Sequence, residues 1–302
     1  MPSATSGPPP RGGMLDAFRH RGYTIFWLGA LVSSTGTWLG NLTVPYVLFQ
    51  QTESAVWIGL ASVAQFGPAF LFAPLGGSLA DSVDRRLLLL WSQLALGVVA
   101  VLMWLQWAAG LHIPLLLIGL LTVFGMINGI NNPAWQSLVN DLVPRRDLMS
   151  AVTLNSLQFN IARAVGPAIA GVLLATLGAS WAFFFNAVSF AVVVVTLLFV
   201  RTHASHAVRP GDGGSRGGFR AQWRAAVVYM AGSRAMILAV GLCCVLGVIG
   251  NPIFSLTVVF AEDVFRTDPI GLGLLTASLG VGAVLYAVVG AVTRARAASL
   301  GR

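Results

Sequence analysis

The sequence contains no lysine, and charge of either sign is scarce: 9% of its 302 residues are charged, against about 25% in soluble globular domains. Without lysine there is no G-x-x-x-x-G-K-[ST] phosphate loop, which excludes nucleotide hydrolysis of that kind. The two cysteines, Cys243 and Cys244, are neighbours in one apolar run. They cannot bridge separate elements and read as small apolar fillers. The four histidines, His20, His112, His203 and His206, lie outside every long apolar run and have no metal-ligand spacing with cysteine or acid. No Ser-His-Asp constellation is visible either. Apolar residues fill the space that these absences leave: 56% of the chain is hydrophobic and the mean hydropathy is +0.80. Such a composition belongs to a protein that lives in a bilayer.

Apolar runs of roughly 20 residues match the ~30 Å hydrocarbon core. Eight can be read, at about 25–49, 57–79, 87–109, 113–134, 152–177, 181–200, 236–260 and 270–292. All read as helices, because a lipid-exposed backbone must satisfy its own hydrogen bonds and a closed barrel would show strict alternation instead. Residues 1–21 read as a disordered tail opening on MPSATSGPPPRGG. Its composition, and a first run too long for an h-region, do not fit a signal peptide.

The net charge of +8 is carried by 18 basic residues, all arginine. They cluster before span one, between spans two and three (Arg85, Arg86), between four and five (Arg145, Arg146), between six and seven, and after span eight. The alternate loops hold only Arg266. The positive-inside rule then places the N-terminus and every even-to-odd loop on the cytoplasmic side of a plasma membrane. A nucleic-acid surface is not expected, since no stacking aromatics accompany the arginines. Residues 202–235, rich in Gly, Arg and Ser, read as a cytoplasmic linker between a six-helix bundle at 22–201 and a partial second bundle at 236–302. A shift of 214 residues sets Thr43 and Val44 on Thr257 and Val258, and Gly59 on Gly273, which suggests parallel repeats of the kind secondary transporters use.

Two stretches carry more specific patterns. In GGSLADSVDRRLLLL, residues 76–90, Gly76 and Gly77 can let helices approach closely, Asp81 can serve a helix N-terminus, and Arg85 and Arg86 can pair with that acid or with lipid headgroups. All four charges can equally be topology signals. Further on, Asn160, Arg163, Gly166, Pro167 and Gly171 form N-x-x-R-x-x-G-P-x-x-x-G. Gly-Pro in a membrane helix frees a carbonyl and permits a bend, and Gly171 permits close packing.

The first stretch, as G-x-L-x-D-x-x-x-R-R over Gly77, Leu79, Asp81, Arg85 and Arg86, resembles the signature between spans two and three of the major facilitator superfamily. It departs at Ser82, where a basic residue is usual, and at Asp84, where glycine is common. The second stretch, with the DLVPRRDL turn before it, resembles the transmembrane secretion effector branch, which includes enterobactin exporters and macrolide efflux proteins. Gly166, Pro167 and Gly171 also resemble the span-five signature of exporters, with the final glycine displaced by one position. The resemblance implies an all-α integral membrane protein with the major facilitator fold, here six helices plus the first two of a second bundle that is C-terminally incomplete. It further implies alternating access, proton antiport without a cofactor, a monomer, and a latch role for Asp81 on the cytoplasmic side. No catalytic activity is expected.

Arg163 is the one charge deep in a predicted span, about 20 Å along a helix that starts near Ser150. Such a placement costs at least about 2.5 kcal/mol and commonly marks function. Asn155, Phe159, Arg163 and Gly166 share one helical face. No acid lies within a span, which leaves three partners for the arginine: backbone carbonyls near Pro167, an acid beyond residue 302, or an anionic substrate. Asn41, Gln65, Asn128, Asn132, Asn155 and Asn251 are further polar candidates for a central cavity. Apolar pockets with a few amides suit amphipathic small molecules. The expected function is a secondary exporter of small amphipathic or anionic compounds. Two alternatives stay open: an importer or facilitator of the same fold, and a truncated membrane protein that transports nothing.

Overall fold

Each apolar run forms a helix in the computed structural model, which describes residues 13–200, 228 and 232–300. The helices are α1 (Arg21–Thr52), α2 (Ala55–Ser82), α3 (Arg85–Ala108), α4 (Pro114–Asp141), α5 (Leu148–Thr176), α6 (Ala179–Phe199), α7 (Arg234–Val259) and α8 (Pro269–Leu300). No strand occurs among the described residues. Most of the linker 202–235 lies outside them. Asn251, Cys243 and Cys244 are carried by α7, but their side chains also lie outside what is described.

Local chemistry sets the helix ends. Ser54 caps α2 by accepting from the Val56 amide, Pro114 opens α4 at its first turn, and Gly110 and Gly178 turn the chain at positive φ after α3 and α5. Asp84, the departure from the family signature, caps α3 by accepting from the Leu87 amide at 2.9 Å. The helices overrun the predicted spans. Most notably, α4 continues to Asp141 rather than ending near 134, running on through Pro133 to the turn before Pro144.

One expectation fails at the N-terminus. Within the stretch read as disordered, Asp16–Arg19 forms a 3-10 turn docked on the start of α5. The Ala17 amide donates to Ser150 Oγ at 3.1 Å, Ser150 donates to the Met14 carbonyl at 2.6 Å, and His20 bonds Asp147 at 2.8 Å. Phe18 packs edge-on against Trp27 at 5.1 Å. Gly and Pro composition misjudged this segment because its partners are about 130 residues away. Residues 1–12 lie outside the described residues.

Helices α2 to α6 are long and apolar enough to cross a membrane. Their outward sides expose large apolar residues such as Phe70, Leu71, Trp91, Val98 and Leu115, as a lipid-facing belt does. Helix α1 is less apolar through its middle, where Ser33, Ser34, Thr35, Thr37 and Asn41 fall, and it packs between α5 and α6. Thr35, Thr37 and Thr43 return their hydroxyls to carbonyls four residues back, at 2.7, 3.0 and 2.9 Å, which satisfies them inside the bundle.

The packing order runs α2, α4, α3, α6, α1, α5, with α8 along α5 and α7 against α2 and α1. One apolar cluster, built on Tyr23, Phe26, Leu138 and Leu154, fills the end nearest the α2–α3 turn. A second around Leu48, Phe124 and Phe183 fills the opposite half. A third joins Leu39, Leu42 and Ala170 to Val258 and Leu272, so α7 and α8 share a core with the first six helices. Close contact between α5 and α8 depends on paired glycines: a Cβ on Gly171 would stand 3.0 Å from Gly273 Cα, and one on Gly273 would stand 2.7 Å from the Pro167 carbonyl.

Candidate functional site

Where α1, α2, α4 and α5 face α7, the helices leave a cavity of about 530 Å³, within the usual range for small-molecule sites. Its walls include Asn41 from α1, Gln65 from α2, Asn128 and Asn132 from α4, Arg163 from α5, and Phe254 and Ser255 from α7. A second space of about 400 Å³ shares Thr37, Trp38, Asn128, Asn132 and Phe159 with the first and extends past Asn155 and Gln136. Five of the six predicted cavity amides are therefore brought together; Asn251 falls outside the described residues. The Gln65 amide donates to Asn41 Oδ1 at 2.9 Å, and Trp135 Nε1 donates to Asn155 Oδ1 at 3.2 Å. Asn128 and Asn132 carry no such bond among the described residues and face the cavity.

Arg163 sits where three helices meet. Gly166, one turn on, lets α5 close on α1: a Cβ there would stand 2.6 Å from Trp38 Cβ. Gly280 brings α8 against the backbone of Arg163 and Ala164, its Cβ position lying 2.8 Å from the Arg163 carbonyl carbon. The guanidinium then lies 5.4 Å from the Trp38 ring and 5.7 Å from the Phe254 ring. Its Nε is buried without a hydrogen-bond partner. Of the three partners left open for this arginine, no carbonyl near Pro167 bonds its Nε, and the two ring faces offset part of its charge through their negative quadrupoles. Helix α5 runs unbroken through Pro167. Trp38 also packs edge-on with Phe159 and Phe254, at 5.5 and 5.3 Å.

At the α2–α3 turn the charges divide their work. Arg85 grips Asp141 at the end of α4 through two bonds, 2.9 and 3.0 Å, and donates to the Ala80 carbonyl at 3.1 Å. Arg86 donates to the carbonyls of Leu197 and Leu198, at 2.8 and 3.0 Å, closing the C-terminal end of α6. Of the pairings with Asp81 that the sequence left open, none forms with Arg86 among the described residues, and the one with Arg85 is long. Asp81 stands 3.9 Å from Arg85 with 80% of its side chain exposed. Of the two glycines expected to permit close approach, Gly76 does so, a Cβ there lying 2.6 Å from the Gly129 carbonyl. A Cβ on Gly77 would meet nothing within 4 Å.

Beyond the turn, Asp147 accepts from His20 at 2.8 Å and lies 3.5 Å from Arg146. The His20 hydrogen bond, then the Arg146 charge, hold its carboxyl below the usual carboxylate range against the opposing effect of burial. At the opposite end of the bundle, the Gln50 amide donates to Glu262 at 3.0 Å and Ser62 bonds Ser255 at 3.0 Å. Both tie the six-helix bundle to the second one. Glu262 sits in a π-turn, Phe260–Val264, that extends α7.

Residues 13–300 match the family model of the transmembrane secretion effector. The chain belongs to that family. Transmembrane secretion effectors are transporters of the major facilitator kind, so the chain is a multi-pass, all-α membrane protein. Among the relatives of this chain, a staphyloferrin A transporter of Staphylococcus aureus is 27% identical over 175 residues, 57% of this chain and 44% of that protein. An enterobactin exporter of Shigella flexneri is 29% identical over 164 residues, 54% of this chain and 40% of its own. The multidrug resistance protein MdtG of Yersinia enterocolitica is 29% identical over 193 residues, 60% and 44% respectively. The chain thus spans under half the length of the curated relatives it matches.

Sequence reading missed Trp38, Phe254 and Asp141. Trp38 lies one turn before Asn41, on the same face of α1, so helical spacing from the predicted amide could have found it. Phe254 has the same spacing from Asn251, and Asp141 opens the DLVPRRDL turn without any sign that Arg85 would be its partner.

Proposed function

We propose that this protein exports small amphipathic or anionic molecules across a bacterial plasma membrane by alternating access, with its N-terminus and the α2–α3 turn in the cytoplasm. It works as a monomer, uses a proton gradient and no bound cofactor, and does not bind nucleic acid. The observation that carries this reading is the cavity at the seam between the six-helix bundle and α7, with amides and one arginine on otherwise apolar and aromatic walls. A site on a seam is the one that rocking of two bundles can open to either side. The Gln50–Glu262 and Ser62–Ser255 bonds hold the outer end together, while the cavity continues past Asn155 and Gln136 toward the arginine-rich end. That is the form expected of a state open to the cytoplasm. Names among the relatives, a staphyloferrin A transporter, an enterobactin exporter and a multidrug resistance protein, fit cargo of this class.

The reading is tested in inside-out membrane vesicles energised to acidify their lumen, with a fluorescent aryl carboxylate as cargo. Uptake into these vesicles, abolished by a protonophore and by Asn128→Leu, is expected. Uptake confined to right-side-out vesicles would establish import instead.

A further inference from the structure

We infer that the N–H edge of Arg163 is the receptor for a carboxylate-type oxyanion, held against an aryl or alkyl body by Trp38, Phe159 and Phe254. This rests on the reading of the seam cavity as the cargo site and narrows it to one charge class and one orientation. Three observations carry it.

The first is the missing partner. Among the described residues no acid forms an ion pair with Arg163, and the ion pairs present all lie near the α2–α3 end of the bundle. Glu262, the acid that joins the two bundles, bonds Gln50 instead. A guanidinium has five N–H donors and no acceptor, and here the Nε–H is buried and unmatched. A buried donor left alone is costly, so a group that supplies oxygen at that edge gains more than one placed elsewhere in the cavity.

The second is what the rings do and do not supply. Trp38 and Phe254, 5.4 and 5.7 Å from the guanidinium carbon, offset part of the charge by cation–π attraction. Ring faces cannot accept the in-plane N–H bonds that a planar, two-oxygen acceptor takes as a fork. The charge is made tolerable in the membrane without being matched.

The third is position. Arg163 is a wall of the 530 Å³ cavity, and Phe254 belongs to α7 while Trp38 and Arg163 belong to the first bundle. The stack therefore spans the seam. Movement of α7 away from α1 and α5 would remove one ring from the guanidinium and one wall from around the apolar body of the cargo. Asn128 and Asn132, on the facing helix, are available for neutral polar groups on the same molecule.

The test compares naphthoate with its neutral isostere naphthamide, by equilibrium binding to the purified chain in lipid nanodiscs. Wild type is expected to hold naphthoate about tenfold or more tighter, as expected when one extra charge-assisted bond is worth a decade in affinity. In Arg163→Met the ratio should fall to about one while naphthamide affinity, which reports an intact cavity, is retained. Arg163→Lys should keep a reduced preference, since an ammonium supplies charge without the planar fork. An undiminished ratio in Arg163→Met overturns the inference. Equal affinity for the two probes in wild type overturns it as well and leaves the exporter reading standing. If wild type holds neither probe, the vesicle assay separates the cases: efflux of other cargo rejects only the oxyanion receptor, and absent efflux rejects both. Should Arg163→Met bind neither probe, the Lys variant decides, by keeping the preference or losing it.

Discussion

Arg85 holds both carboxylate oxygens of Asp141, at 2.9 and 3.0 Å, across the interface of α3 and α4, while Asp81, four residues before it in sequence, stands exposed 3.9 Å away. The two acids near this arginine therefore do different work. Asp141→Asn leaves a half-buried guanidinium with a poorer acceptor and should destabilise the detergent-solubilised protein by about 1.5–3 kcal/mol, read as a lowered melting temperature. Asp81→Ala should leave the melting temperature where it was, because an exposed pair at that distance contributes little. On the proposed mechanism it should nonetheless slow efflux. A melting loss from Asp81→Ala equal to that from Asp141→Asn would reverse the assignment.

Arg86 closes the end of α6 on two carbonyls. Arg86→Ala should fray that end, at a cost of about 1 kcal/mol. Faster amide exchange confined to the last turn before Phe199 is the expected signature, with α3 unaffected. Arg86→Lys should restore part of the protection.

Docking of the 3-10 turn depends on pH through Asp147. Its folded-state pKa lies below the ordinary carboxylate value because His20 and Arg146 favour the ionised form. A depressed carboxylate stabilises the docked form above its undocked pKa, and that contribution is lost as pH falls through the lower, docked value. The segment before α1 should therefore stay protected from proteolysis at neutral pH and lose protection only below about pH 4. Asp147→Asn should expose it already at neutral pH. Limited proteolysis between Gly13 and Arg21 checks both.

Gly171 and Gly273 allow α5 and α8 to touch through their backbones. Gly171→Leu should push α8 off α5 and lower both stability and efflux. Gly77→Ala should change neither, since a Cβ there meets nothing within 4 Å. Melting curves and vesicle uptake on the two variants measure the contrast.

The part of this protein legible along the chain is the part that single segments decide. Transfer from water to lipid acts residue by residue, so run length alone gave eight helices, and arginine-rich loops gave a topology to test. Arg163 stood out for the same reason: one charge in an apolar run is anomalous without any knowledge of its neighbours. The amides at Asn41, Gln65, Asn128, Asn132 and Asn155 share this property, and α1, α2, α4 and α5 bring them to one cavity and its extension. Pairings were a different matter. Asp141 for Arg85, Leu197 and Leu198 for Arg86, and Trp38 with Phe254 for Arg163 join residues separated by 56 to more than 100 positions or sitting on helices from different bundles. Proximity in sequence offered Asp81 to Arg85, which is only its long, exposed partner, and gave no hint of Asp141. Which side chains meet depends on how rigid helices rotate and approach, and that is fixed by glycine contacts and core packing spread over the whole bundle. Segment identity is a local solvation property, whereas the partners of a buried charge are a property of the assembled packing.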